Sequence, residues 1–180
     1  MNVPAVSVLL PFKNAEKYLD SALESIAGQT FDDLEAVLVD DNSSDSSTQI
    51  AEKWCSEDSR FTLVKASGTG LVDALNLGLE RCRGTWIARM DADDISLPSR
   101  IEKQYNSAES MGSRTVVSCQ VRSFPEESVT DGYRQYENWL NNLTEPSEIE
   151  KNLFIESPVP HPTAFFHRLG IISEGGYTEK

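Results

Sequence analysis

The chain is poor in basic residues, in cysteine and in long apolar runs, and each shortage removes a class of protein. Lys and Arg number 16 against 29 Asp and Glu, a formal net charge of −13 over 180 residues. Such a chain repels phosphate backbones and lacks the basic footprint of a nucleic-acid binder. A small anionic ligand would need positive charge supplied locally, and a divalent metal is the usual source. The three cysteines, Cys55, Cys82 and Cys119, are far apart and form no CxxC or Cys/His cluster. That argues against a disulfide framework or zinc site and for a reducing cytosol. No stretch approaches the roughly 18 apolar residues of a spanning helix, and the N-terminus shows no basic-then-apolar signal pattern. A chain soluble on its own, without a membrane span, is expected. Internal repeats and low-complexity tracts are also absent. Hydrophobic residues at 39% and charged residues at 25% are near globular averages, and the length suits one domain with a real core.

What is present is an alternation of apolar runs and helical stripes. Val6 to Leu10 reads as a strand buried on both faces. Pro11 and Asn14 end it, and Leu19, Ala22, Leu23, Ile26 and Ala27 predict a helix over about Ala15 to Ala27, with Asn14 placed to cap it. Leu34 to Val39 is a second strand, ending in Asp40, Asp41, Asn42, Ser43, Ser44 and Asp45. Ile50, Ala51, Trp54 and Cys55 mark a helix. Phe61 to Lys65 is a third strand, Ser67 to Gly70 a turn, and Leu71, Leu75, Leu79 and Cys82 a further helix. Thr85 to Met90 is a fourth strand, stopped by Asp91, Ala92, Asp93 and Asp94. Pro98 is expected in the first turn of a helix carrying Ile101, Tyr105 and Ala108, and Val116, Val117, Cys119 and Val121 suggest a fifth strand. Beyond about residue 122 the pattern loosens. Tyr133, Tyr136, Trp139, Leu140 and Leu143 read as an amphipathic helix, and Pro146 starts a shorter one with Ile149 and Leu153. Val159 to His167 reads as an edge strand, because Pro160 and Pro162 cannot donate to a ladder.

This order predicts an α/β fold with a doubly wound, mostly parallel sheet and helices on both faces. Right-handed crossovers place the carboxyl ends of the strands along one edge, where open α/β sheets bind ligands. Pro11 to Asn14, Asp40 to Asp45 and Asp91 to Asp94 all fall there. Three carboxylates within four residues raise one another's pKa unless a cation lies among them. Hard divalent ions are held by one or two carboxylates plus substrate phosphates. The Asp91–Asp94 run therefore reads as a metal–phosphate site or, equally on spacing alone, as a solvated loop capping the next helix. Asp40 and Asp41 read either as an acceptor for a nucleobase imide or amide, or as an Asx-turn closing the strand.

The series VSVLLPFKNAEKYL, LEAVLVDDNSSD, GLVDALNLGLERCRGTWIARMDADD and LPSRIEKQ, in that order across residues 6 to 104, resembles the inverting family 2 glycosyltransferases of GT-A fold. Gln29-Thr30-Phe31 and Gly84 agree as well. SPVPHPTAFFHR and Gly175-Gly176-Tyr177 match the acceptor-side half of many bacterial members. The resemblance implies one GT-A domain over 1–180. About 1–110 would be the nucleotide-sugar-binding half and about 111–180 a partial acceptor-side half.

Carried over residue by residue, the resemblance implies that Pro11, Phe12 and Lys13 line the pocket for the base and that Asp41 hydrogen-bonds it, most often uracil. Gly70 would lie near the base and ribose. Asp91 and Asp93 would form the DxD motif, with Asp93 on a Mn²⁺ or Mg²⁺ ion bridging the diphosphate and Asp91 on the ribose or metal. Asp94 and His161 would lie nearer the sugar and acceptor. The implied partners are a nucleotide-sugar donor, a UDP-sugar first, and a sugar or glycan acceptor in cell-surface polysaccharide synthesis. The implied place is the cytoplasm or the inner face of the membrane.

Two departures stand out. Many relatives have an aromatic residue where this chain has Lys13. The family's general base lies shortly after the GGY segment, whereas this sequence stops at Lys180, three residues past Tyr177. Glu174 and Glu179 do not occupy its position, so a C-terminally truncated chain without the base is expected, and apolar surface left uncovered would favour self-association.

Other conspicuous residues have structural readings beside the functional ones. His161 reads also as a backbone-bonded structural residue, and Trp54 and Trp86 as core. Tyr133, Tyr136 and Trp139 read as an acceptor platform or as core. Arg89 and Arg100 could contact phosphate but receive no role. A sugar nucleotidyltransferase would need a glycine-rich loop after the first strand, which PFKNAEKY is not. A receiver-type signalling module would need an aspartate and lysine pair that the chain does not offer. A non-catalytic nucleotide-binding fragment is the remaining alternative.

Overall fold

The computed structural model describes residues 3–68 and 70–178. Thr69 of the expected turn lies outside the described residues, as do Glu179 and Lys180. Strands β1 (Val6–Phe12), β2 (Leu34–Asp40), β3 (Phe61–Lys65), β4 (Trp86–Arg89), β5 (Val116–Val117) and β6 (Phe165–His167) form a six-stranded sheet in the order β3-β2-β1-β4-β6-β5. The first four are mutually parallel, with Leu9 level with both Val37 and Arg89; β6 runs antiparallel to β4 and to β5. Strands β1 and β2 are buried along their whole length, as near-continuous apolar runs require when helices cover both faces.

The winding is double. Helices α1 (Leu19–Ala27), α2 (Ser47–Glu57) and, after α3, α4 (Arg100–Met111) pack on the face carrying Val8, Leu10 and Ala88. Helix α3 (Leu71–Arg81) covers the opposite face, with Leu9, Val37 and Ile87. The chain therefore leaves β3 on one side of β1 and re-enters the sheet as β4 on the other, which places the ends of β1, β2 and β4 next to one another. Helices α5 (Asp131–Asn142), α6 (Pro146–Asn152) and α7 (Arg168–Ser173) follow.

Several local expectations change. Helix α1 begins at Leu19, because Glu16 to Tyr18 form a separate turn in which the Ala15 carbonyl accepts from Tyr18 and Leu19. Asn14 is not its cap. Its backbone is left-handed, φ 51°, and its Oδ1 accepts from the Ser44 N–H. The donors of the lead-in turn go across to another loop instead: Ala15 to Ser47 Oγ and Glu16 to Asp45 Oδ2. Pro98 stands two residues before α4 in a turn closed by Arg100 N–H on the Leu97 carbonyl. The fifth strand is only Val116–Val117. The expected edge strand over Val159 to His167 is an interior one, with Pro160 and Pro162 confined to the 3₁₀ turn His161–Thr163 and its approach, so neither takes a ladder position. Trp86 is core, as expected, and Trp54 packs on Phe61 at a ring distance of 5.4 Å.

Candidate functional site

The end of β2 separates its two aspartates. Asp40 is spent locally: Oδ1 accepts from Ser43 N–H at 2.8 Å and Oδ2 from the Thr48 hydroxyl at 2.5 Å. Asp41 is buried beside the end of β1, where its N–H donates to the Phe12 carbonyl. Its Oδ2 takes a 3.3 Å ion pair from Lys13, and its Oδ1 is buried with no partner. An unsatisfied buried carboxylate oxygen costs free energy, about 1–3 kcal/mol or more, unless a ligand donor meets it. Of the three residues expected around a base, Pro11 and Phe12 are buried strand residues and Lys13 is exposed. Gly70 caps α3 with φ 117°, and a side chain there would meet nothing within 4 Å. A small open groove of about 190 Å³ adjoins this corner, lined by Asp40, Asn42, Ser43, Thr48, Lys65 and Ala66. The larger groove, about 510 Å³, runs along β3 past Glu35, Arg81 and Arg83. Glu35 starts near the amino end of β2, away from these carboxylates, so the larger space is not the site.

Asp91, Asp93 and Asp94 follow β4. Asp93 is exposed, while Asp91 and Asp94 are half-buried. Burial, then the charges of Asp91 and Asp93, push the Asp94 carboxyl up to about 6. Asp91 is not free: its Oδ1 lies 2.5 Å from the Arg89 guanidinium. Among the described residues, no three His, Cys, Asp or Glu side chains form a cluster able to hold a metal by themselves. The loop is anchored from below by Gln29, whose amide donates to the Ser96 and Leu97 carbonyls and accepts from Ile101 N–H.

The last part of the chain closes on the same edge. Arg100 donates to the Arg89 and Pro162 carbonyls and so ties the His161–Thr163 turn to β4. His161 lies 5.6 Å, edge to face, from Tyr177. Burial and the Arg89 charge hold its imidazole below the usual pKa. Tyr177 is clipped to α3 by both arms of the Asn76 amide, each at 2.9 Å. Gly176, at φ 77°, makes this possible, since a Cβ there would come within 2.6 Å of the Asn76 Oδ1. The Tyr177 hydroxyl is buried without a partner and pushed up to about 12, chiefly by burial.

The expected residues thus gather along one sheet edge in two groups, Lys13 with Asp41 and Asp91 to Asp94 with His161. Residue-by-residue reading gave no role to Arg89, Gln29 or Asn76. A charged residue inside the apolar strand WIARM was the available signal for the first; the other two depend on partners 67 and 101 residues away.

The site is thus a set of carboxylates at the ends of the two strands flanking the first of a doubly wound sheet, of which Asp41 keeps a buried oxygen without a partner while Asp91 is paired with Arg89. The family profile described as Glycosyl transferase family 2 matches residues 7–176, and the chain belongs to that family. The amylovoran biosynthesis glycosyltransferase AmsE of Erwinia amylovora is 34% identical over 174 residues, 95% of this chain and 63% of AmsE. The fold matches GT-A glycosyltransferases such as S. aureus TarS 1-349 in complex with UDP-GlcNAc, with TM-score 0.75 and 21% identity over 97% of this chain and 48% of that one. The mannosyltransferase PcManGT from Pyrobaculum calidifontis, solved with GDP-Man and Mn²⁺, matches with TM-score 0.59 and 19% identity, covering 99% and 48%. The chain spans less than two thirds of the length of each. Among the described residues no helix is long and apolar enough to cross a membrane.

Proposed function

We propose that the chain is the nucleotide-sugar-binding part of a glycosyltransferase that moves a sugar, with inversion, from a nucleoside diphosphate to an acceptor hydroxyl. The observation that carries this is the buried, unpartnered Oδ1 of Asp41 at the end of β2, with the Asp91–Asp93 pair at the end of β4 on the other side of β1. Asp41 accepts an N–H from the base, uracil first, as the UDP-GlcNAc in TarS suggests. Lys13, where an aromatic would stack, supplies a cation beside the same carboxylate. Gly70 leaves open space for the nucleoside.

The exposed Asp93 and half-buried Asp91 are hard oxygen donors that suit Mn²⁺ or Mg²⁺. Among the described residues no three His, Cys, Asp or Glu side chains form a cluster, so these two carboxylates would hold such an ion together with the donor's phosphates. PcManGT carries Mn²⁺. Such an ion offsets the diphosphate's charge and stabilises it as a leaving group. Asp94 and His161 face the acceptor side. AmsE's name points to a polysaccharide acceptor, and the three free thiols suit the cytoplasm.

The test is calorimetric titration of UDP with and without Mn²⁺. Metal-dependent binding is expected, with Asp93→Asn and Asp41→Asn each weakening it at least about thirtyfold, the loss of a charge-assisted contact. Metal-independent binding, or unchanged affinity in Asp93→Asn, would sink the reading.

A further inference from the structure

Arg89 is among the largest fully buried side chains of the molecule, 1% exposed in an otherwise apolar strand. A buried guanidinium is costly unless its donors are met. Its Nη2 reaches Asp91 Oδ1, but Nε and Nη1 are buried and unpartnered. The Tyr177 hydroxyl is the other buried orphan on this face, and the Arg89 charge acts on it, on His161 and on Asp94. Packing alone would place an apolar residue here, as Ile87 shows two positions earlier on the same face.

We propose that Arg89 is a positioning residue of the donor site, a buried cation that grips one oxygen of Asp91. The inference rests on the donor-site reading. Held through Oδ1, Asp91 keeps one orientation and presents its other oxygen to the ligand. The same guanidinium partly neutralises the Asp91–Asp94 run, so that three carboxylates stay together in the ligand-free protein. Asn76 clamps the Tyr177 backbone to α3, and the Tyr177 ring meets His161, so the acceptor-side turn is fastened within reach of the same buried charge.

The consequence separates positioning from general damage. Arg89→Gln removes the internal counter-charge, so Mn²⁺ alone, titrated by electron paramagnetic resonance, binds at least about threefold tighter. UDP at saturating Mn²⁺ binds about tenfold weaker, since Asp91 is no longer oriented. Arg89→Lys keeps the charge but not the fork; Mn²⁺ affinity stays near that of the unaltered chain while UDP affinity falls several-fold. Loss of both affinities in parallel in Arg89→Gln, in a sample with native circular dichroism, overturns the proposal. If Arg89→Gln does not fold, Arg89→Lys decides, and unchanged UDP binding there overturns it. An unaltered chain that binds neither Mn²⁺ nor UDP overturns the donor-site reading and this inference together. Normal binding by that chain with unchanged Arg89 variants overturns this inference alone.

Discussion

Strands β1 and β2 bury all of their residues, whereas β5 is one exposed and one half-buried valine and helices α5 and α6 together bury only Leu140. The first half of the chain is a core with a loaded edge. The second is a thin covering whose contribution to that edge comes from a few points: β6, the His161 turn and Tyr177. A strand buried on both faces admits few polar residues, and Ser7, Glu35 and Arg89 are kept there by partners, so most polar groups collect in the loops after β2 and β4. The covering half obeys no such constraint. Its aromatic row is not core: Tyr133 and Tyr136 are exposed, and Tyr136 stacks on Trp139 at 5.7 Å. Phe154 is 99% exposed.

The contrast can be broken most directly by stability. Leu23→Ala in α1, fully buried, should cost about 2–5 kcal/mol, while Phe154→Ser should stay within about 0.5 kcal/mol. Denaturant melts of both measure this, and equal losses would erase the distinction between core and covering. A smaller effect is expected where the halves meet. Asn76→Ala removes both bonds to the Tyr177 backbone, at a cost of about 1–2 kcal/mol. Hydrogen exchange over 171–178 should speed up while that of β1 and β2 does not; uniform acceleration would show that the segment is part of the core.

The smallest effect is electrostatic and lies wholly in the first half. Hydrogen bonding from Arg60 holds the Asp58 carboxyl below its ordinary 3.8. A depressed folded-state pKa contributes stability that is present above 3.8 and is lost as pH falls through the lower folded value. Asp58→Asn should therefore cost about 0.5–1 kcal/mol at pH 7, as for a partly exposed pair, and the difference from the unaltered chain should vanish in acid. A difference that grew below pH 3.8 would contradict the pairing.

How much was legible follows the same division. The runs VSVLL, LEAVLV and TWIARM, and the acidic residues that stop them, are local facts of hydrophobic periodicity, and they placed four parallel strands and two site loops. The Val159 to His167 stretch misled because proline argues against a ladder position. The prolines lie outside any strand rather than on an edge, and Phe165 to His167, which begin only after them, form an interior strand. Asn14 misled for the opposite reason: it has a capping residue's chemistry, but Asp45 and Ser47, before and at the start of α2, already occupy the donors it would cap.

From the amino-acid order alone came the α/β class, the doubly wound layout and the edge at which Asp41, Asp91, Asp93 and Asp94 collect, because strand and helix periods are written in neighbouring residues. Which aspartate of the pair Asp40–Asp41 is left free, what Arg89 pairs with and how Tyr177 reaches α3 were decided only by the tertiary structure. Those outcomes depend on groups far apart in the chain competing for the same donors and acceptors, and no local pattern records who wins.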